Sequence, residues 1–188
     1  LEYLVDELNA AAGAEVWDAV PSPASLPALA DEDVIRNAFI YKPGDVELVG
    51  ESQILIGSPA FSNAREPLAQ AFKPVGADHS NAFIAIVNHF KSKGSGCGAG
   101  SDDPLQGNCN GDRVAQATAL AAFADDVAAD LGIDAVFLLG DLNSYSMEDP
   151  MQALDDAGYT QLESTSDPDE ESYSFDGMYG SLDHVLAN

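Results

Sequence analysis

The stretch AVFLLGDLNS, residues 135–144, constrains the fold more than any other part of the sequence. Its first half is a short apolar run, typical of a strand buried on both faces of a sheet. The run passes directly into Gly140 and Asp141, and Asn143 follows two positions later, so both polar side chains can project from the same side. Catalytic groups collect at such strand ends, because the sheet is rigid and the adjoining loops are open to solvent. A simple turn is the alternative, since Gly, Asp, Asn and Ser also dominate turns.

A second apolar run, FIAIVN at residues 83–88, predicts another buried strand and ends at His89. Lys91 and Lys93 follow it, and they are two of only seven Lys and Arg residues in the chain. A single histidine is more often structural than catalytic, but basic neighbours favour an anion-binding pocket.

The order of these elements predicts α/β layering. A glycine-rich loop at 93–110 and an Ala-rich helix at 113–131, stopped by Gly132, separate the two strands. Further predicted elements are helices at 1–12 and 150–157, a hairpin-like pair at 38–41 and 46–49, strands at 172–175 and 182–186, and loops at 21–27 and 165–171. No repeat or domain boundary interrupts the 188 residues, so we expect one domain.

Composition limits the partners of this protein. The formal charge of -25 repels polyanions, so charge alone argues against nucleic acid and is more simply explained by a solvated, salt-tolerant surface. No run approaches the roughly 18 apolar residues that a membrane span needs. The only two cysteines, Cys97 and Cys109, bracket a polar loop and favour a disulfide in an oxidising compartment. A zinc site would need two more ligands nearby.

Five motifs occur in an order that resembles the deoxyribonuclease I-like endonuclease/exonuclease/phosphatase superfamily. They are FIYKP (39–43), AREP (64–67), NHFKSK (88–93), GDLNS (140–144) and SLDHVL (181–186). The chain looks closest to large bacterial extracellular nucleases, which carry a similar arrangement of KSKGS, two cysteines, QGNC and Arg113. The resemblance implies an α/β fold that forms a partial four-layer sandwich, with two packed mixed β-sheets flanked by helices. In that sandwich SLDHVL is expected to supply a strand of the second sheet.

The resemblance also implies site residues. His89 resembles the general acid for the leaving oxygen, Asp141 the aspartate near the attacking water and the metal, and Asn143 its phosphate-orienting neighbour. Four further residues resemble those that contact the substrate phosphate in this family: Arg65, Tyr41, Lys91 and Arg113. For Arg65 the alternative is a surface contact with a glutamate, and for Tyr41 it is packing on the core. The implied cofactor is Mg²⁺, or Mn²⁺ or Ca²⁺.

Asp183 and His184 lie in the SLDHVL motif. Asp183 resembles the aspartate that orients a catalytic histidine, whereas apolar residues flank His184 and favour a structural role for it. We therefore expect the catalytic histidine of the family's later motif to lie beyond Asn188, and a metal-binding glutamate to precede Leu1. The single domain 1–188 is then expected to lack elements at both ends, to hold metal weakly and to be inactive by itself.

These features predict metal-dependent phosphodiester hydrolysis by a secreted or cell-surface-associated bacterial nuclease that acts on DNA or RNA. No membrane association and no obligate protein partner are expected. One alternative is a phosphodiesterase or phosphatase for a lipid or inositol phosphate. The shared motifs bind the phosphate and do not specify which group leaves it. Another is an inactive module of a large surface protein.

Overall fold

A computed structural model describes residues 1–27, 35–163, 171–175 and 177–188 of the chain. The helices are α1 (Glu2–Ala12), α2 (Asn110–Leu131) and α3 (Asp149–Asp156). The strands are β1 (Asp18–Ala19), β2 (Ile40–Tyr41), β3 (Val46–Ile54), β4 (Arg65–Pro74), β5 (Phe83–His89), β6 (Val136–Asp141), β7 (Thr160–Gln161), β8 (Tyr173–Phe175), β9 (Met178–Gly180) and β10 (Asp183–Ala187).

A six-stranded mixed sheet organises the described residues, with the strand order β3-β4-β5-β6-β10-β7. Strands β5 and β6 are parallel, and the other neighbouring pairs are antiparallel. A parallel pair requires a crossover connection, which here contains the 22-residue helix α2. Strands β1 and β2 pair separately, and β8 and β9 form a hairpin.

The main hydrophobic core lies between this sheet and its helices. Ile84, Ile86 and Leu138 are fully buried and belong to one cluster with Leu120 of α2 and Leu154 of α3. A smaller cluster, centred on Phe72 and Ala85, covers part of the opposite face. The prediction of an α/β fold is confirmed, and the architecture is consistent with a partial sandwich.

The predicted hairpin of residues 38–41 and 46–49 is wrong. Strand β2 pairs with β1, and β3 pairs with β4. Strand β3 is nine residues long and β4 is ten, so their ladder offers far more backbone hydrogen bonds than the two-residue β2 could. Strand β4 is not among the elements that the sequence predicts.

The last strand also differs from expectation. Residues of SLDHVL were expected in a second sheet, but β10 pairs with β6 over five residues of the main sheet. The 172–175 segment pairs with β9 and not with β10. The predicted acidic loop at 165–171 lies almost entirely outside the described residues.

None of the helices in the described part of the chain has the length and apolar character needed to cross a bilayer.

Candidate active site

Four of the predicted site residues form a row across four neighbouring strands. Arg65 of β4 pairs with His89 of β5, His89 pairs with Asp141 of β6, and Asp141 pairs with Asp183 of β10. Directly paired residues point to the same face of a sheet, so these four side chains share one face. The register of β4 shifts between Arg65 and Leu68, and this irregularity places Arg65 opposite His89.

His89 and Asp141 form the centre of the row. The His89 Nε2 atom lies 3.6 Å from Asp141 Oδ2, and the two side chains are 29% and 35% exposed. They are therefore close enough to interact and open enough to meet a ligand. Each stands at the last position of its strand, as the sequence predicted.

The carboxyl group of Asp141 lies among several charges. Partial burial raises its pKa, and the neighbouring Asp183 carboxylate adds to this effect. The pKa of Asp141 is lowered by the hydrogen bond from the Asn143 backbone N–H and by the charges of His89 and His184. Burial and two like charges on adjacent strands both favour a proton or a cation at this position.

Asn143 forms a tight turn beside Asp141. It has a positive φ of 47°, and its backbone N–H donates to Asp141 Oδ1 at 2.8 Å. Its side chain is buried, and Nδ2 donates to the Phe90 carbonyl at 3.1 Å. Asparagine tolerates this left-handed conformation better than most residues. The structure thus places Asn143 next to Asp141, and its contact with a phosphate remains a prediction.

The two lysines that follow His89 differ in their surroundings. Lys91 is half-buried, and its Nζ lies 3.3 Å from Ser95 Oγ. Lys93 instead forms an ion pair with Glu148, at 2.5 and 2.7 Å, and its Nζ lies 4.7 Å from the ring centre of Tyr145. Burial lowers the pKa of Lys93, while Glu148 acts against this shift. The expected local cluster of basic side chains is therefore smaller than predicted, because Lys93 is engaged within the protein.

Arg113 does not reach the row of site residues, which corrects the prediction that it binds substrate phosphate. Its side chain is 0% exposed and donates to the backbone carbonyls of Lys91, Asn108 and Gln106. Burial lowers the pKa of the guanidinium. Arg113 thus holds the long loop after His89 in place from inside the protein.

Tyr41 also lies away from the row. Its ring centre is 6.0 Å from that of Phe72, and Phe72 pairs with Phe83 at the start of β5. His89 is six residues further along this strand, a separation of roughly 20 Å. Burial raises the pKa of the Tyr41 hydroxyl, with a smaller effect from Asp18. Tyr41 therefore packs on the core, which is the alternative given for it, and does not belong to the row of site residues.

The loop after His89 is closed by a disulfide between Cys97 and Cys109. Asp102 organises its interior, because the carboxylate accepts backbone N–H groups from Cys97, Gly98 and Cys109 at 2.8, 3.0 and 2.8 Å. These bonds lower the pKa of Asp102. Cys97, Asp102 and Cys109 are the only described residues grouped closely enough to suggest a metal site, but the disulfide consumes both thiols.

Mutation of both cysteines to serine should lower the free energy of unfolding by about 3 kcal/mol, as the chain-entropy model gives for a loop of this size. Urea denaturation of the wild-type and double-serine proteins measures the difference. Titration of thiols in the denatured, unreduced protein should find none, and two free thiols would contradict the pairing.

Several residues that support the site were not identified from the sequence. Gln116 of α2 is fully buried, and its Oε1 accepts the Lys91 backbone N–H at 2.9 Å. Ser172 accepts the backbone N–H groups of Leu182 and Asp183 at 3.0 and 3.2 Å. A glutamine within a helix and a serine before a strand carry no local signal for such roles, because their partners are distant in sequence.

The donor atoms in the row partly fit a hard divalent cation. Asp141 and Asp183 offer carboxylate oxygens, which Mg²⁺, Mn²⁺ and Ca²⁺ prefer, and a cation would relieve the repulsion between them. Asp141 Oδ1 already accepts the Asn143 N–H, and no third acidic or histidine ligand groups closely with these two among the described residues. The described residues therefore supply part of a cation site.

The fold matches several solved structures. The chain aligns over its full length with the human Nocturnin catalytic domain with bound sulfate, at 14% identity and a TM-score of 0.57. It also aligns over its full length with an endonuclease/exonuclease/phosphatase family protein from Bacteroides thetaiotaomicron, at 12% identity and a TM-score of 0.60. A beta toxin variant from Staphylococcus aureus with bound magnesium ions matches 86% of the chain, at 17% identity and a TM-score of 0.53.

The chain therefore shares the fold of an endonuclease/exonuclease/phosphatase family protein, which is the fold that its motifs predicted. It covers 66%, 64% and 56% of these three structures, in the order given. A scan against protein-family models finds no match, and no curated protein matches by sequence.

Proposed function

We propose that this chain contributes the catalytic face of a metal-dependent phosphodiesterase, and that its substrate is nucleic acid outside the bacterial cell. The observation that carries this proposal is the row of Arg65, His89, Asp141 and Asp183 on one face of the sheet. It combines a cationic group, an acid–base group and two carboxylates, which together match the needs of phosphoryl transfer.

Each residue of the row has a chemical part in this proposal. His89 donates a proton to the oxygen that leaves the phosphorus, and its Nε2 atom lies 3.6 Å from the Asp141 carboxylate. Asp141 also accepts a proton from, or orients, the attacking water. Arg65 holds the nonbridging oxygens of the phosphate, Asn143 fixes the Asp141 carboxylate through its backbone N–H, and Lys91 adds positive charge at the edge.

A divalent cation would be held by Asp141, with Asp183 next to it, and would neutralise negative charge on the phosphoryl oxygens. Magnesium bound to the beta toxin, and sulfate bound to Nocturnin, show that this fold accommodates a hard cation in one protein and a tetrahedral anion in another. Both observations support the proposal for the present chain.

The strong acidity of the protein is compatible with a polyanionic substrate only if charge is neutralised locally. The cation, Arg65 and Lys91 would supply this, while the remaining surface repels nucleic acid. We therefore expect binding that weakens as salt rises, because each phosphate contact releases counterions. The disulfide supports an oxidising location, such as the space outside the cell.

The test uses the protein that carries this chain, supplied with Mg²⁺, Mn²⁺ or Ca²⁺. Single-stranded DNA, duplex DNA, RNA and sphingomyelin vesicles are incubated separately, and released phosphate esters are measured with and without a chelator. Cation-dependent cleavage of nucleic acid that Asp141→Asn removes and Asp134→Asn preserves would support the proposal. Asp134 is an exposed residue just before β6 and serves as the matched control. Cleavage of sphingomyelin alone would replace the nuclease proposal with a lipid phosphodiesterase, and no cleavage of any ester would contradict both.

A further inference from the structure

His184 is buried behind the row of site residues. It lies on β10 next to Asp183, but successive side chains of a strand point to opposite faces. Asp183 is exposed on the face of the row, whereas His184 is only 5% exposed, on the face covered by the helices. Strand β10 therefore carries the Asp183 carboxylate on the face of the row and the His184 imidazole on the opposite face of the sheet.

The imidazole of His184 binds the backbone of the turn that follows Asp141. Its Nε2 lies 2.7 Å from the Ser144 carbonyl oxygen. A carbonyl oxygen only accepts hydrogen bonds, so the Nε2 atom carries the proton and donates.

This turn sets the geometry of Asp141 and Asn143. The Leu142 N–H donates to the Leu182 carbonyl at 2.9 Å, and the Asn143 N–H donates to Asp141 Oδ1 at 2.8 Å. Ser144 is fully buried, and its hydroxyl donates to the Leu142 carbonyl at 3.0 Å. Within this network, His184 is the side chain that ties the end of the turn to the strand that bears Asp183.

We propose that His184 is a positioning residue, which holds the Asp141–Asn143 turn in register with Asp183 through the Ser144 carbonyl. The expected effect on catalysis rests on the proposed function. The expected effect on the turn rests only on the hydrogen bond between His184 and Ser144. Loss of the bond frees the turn to shift, and displacements of about 1 Å in a catalytic site can lower rates by up to about a hundredfold.

Three variants separate positioning from simple packing. His184→Leu keeps an apolar side chain in the core and removes the donor, whereas His184→Gln retains an N–H donor of similar reach. His79→Leu, in an exposed turn before β5, is the matched control for removal of a histidine. Each protein is assayed at temperatures where thermal unfolding shows it to be folded. Two quantities are measured, the kcat for the cleaved ester and the exchange rate of the Asn143 amide hydrogen.

His184→Leu should lower kcat about tenfold with a smaller change in KM, since the interaction acts on the geometry of the reacting groups. It should also accelerate Asn143 amide exchange about tenfold, because the Asn143–Asp141 bond opens more often. His184→Gln should recover most of both losses, and His79→Leu should change neither.

Unchanged kcat and Asn143 exchange in folded His184→Leu would overturn the proposal, as would a His184→Gln variant no better than His184→Leu. If the wild-type protein cleaves no phosphoester, the proposed function fails by itself. The exchange measurement then still decides whether His184 holds the turn.

Discussion

Gly140→Ala should lower the free energy of unfolding by about 3 kcal/mol or more, which is among the larger effects of a single substitution. A Cβ atom at this position would lie 2.1 Å from the Asn88 carbonyl oxygen, a distance that requires the backbone of β5 or β6 to move. Gly140 also has a φ of 124°, which side-chain-bearing residues rarely adopt. Because Asn88 and Gly140 immediately precede His89 and Asp141, the movement should also separate the two site residues.

Gly132→Ala is the matched control for this prediction. Gly132 ends α2 with a φ of 64°, and a Cβ there would meet nothing within 4 Å. Gly132→Ala should therefore lose only about 1 kcal/mol, the cost of a left-handed backbone conformation for alanine, because no clash is added. Denaturant unfolding of both variants gives the comparison. Equal losses in the two proteins would show that the approach of β5 to β6 is looser than the structure indicates.

His89→Ala should reduce phosphodiester cleavage by about a hundredfold or more, because the leaving oxygen loses its general acid. His89 is about a third exposed and lies at a strand end, so its removal should leave the fold intact. Initial rates at saturating cation and substrate measure the effect, and circular dichroism checks the fold.

His79→Ala provides the comparison, because His79 lies in a short turn before β5, at the opposite end from His89. It should retain wild-type activity. A His89→Ala protein with undiminished kcat would remove His89 from the catalytic row. If a folded His184→Ala protein were inactive at the same time, the roles of the two histidines would have to be exchanged.

Local patterns predicted the helices and the buried strands well. The predicted helices at 1–12, 113–131 and 150–157 correspond to α1, α2 and α3, with ends that differ by at most three residues. The apolar runs before His89 and Asp141 are β5 and β6. These elements are long or strongly apolar, so their periodicity and their stop residues are contained within the segment itself.

Strand pairing was predicted poorly, because the partner of a strand is chosen by distant segments. Nothing in residues 38–49 indicates that Ile40 pairs with Ala19, or that Val49 pairs with Ala71 across the sheet. The assignment of β10 to a second sheet failed for the same reason. Its five residues contain nothing that indicates which sheet the strand joins.

The candidate site was predicted in part. His89, Asp141 and Asp183 were identified from their motifs, and the structure brings them together with Arg65. Arg113 and Tyr41 were assigned to phosphate by resemblance and lie elsewhere. An arginine at the start of a helix has the same local sequence whether it faces a substrate or is buried against loop carbonyls.

By itself, the sequence determined where the polar strand ends, the helices and the cysteine loop would be, because these depend on neighbouring residues. Only the tertiary structure decided that four strands align their site residues in one row, that Lys93 turns to Glu148, and that His184 binds the Ser144 carbonyl. These contacts join residues 40 to 55 positions apart, or lie in register across several strands. Such contacts form only when the whole sheet and its helices pack together, since burial and hydrogen-bond satisfaction are settled jointly by segments that are remote along the chain.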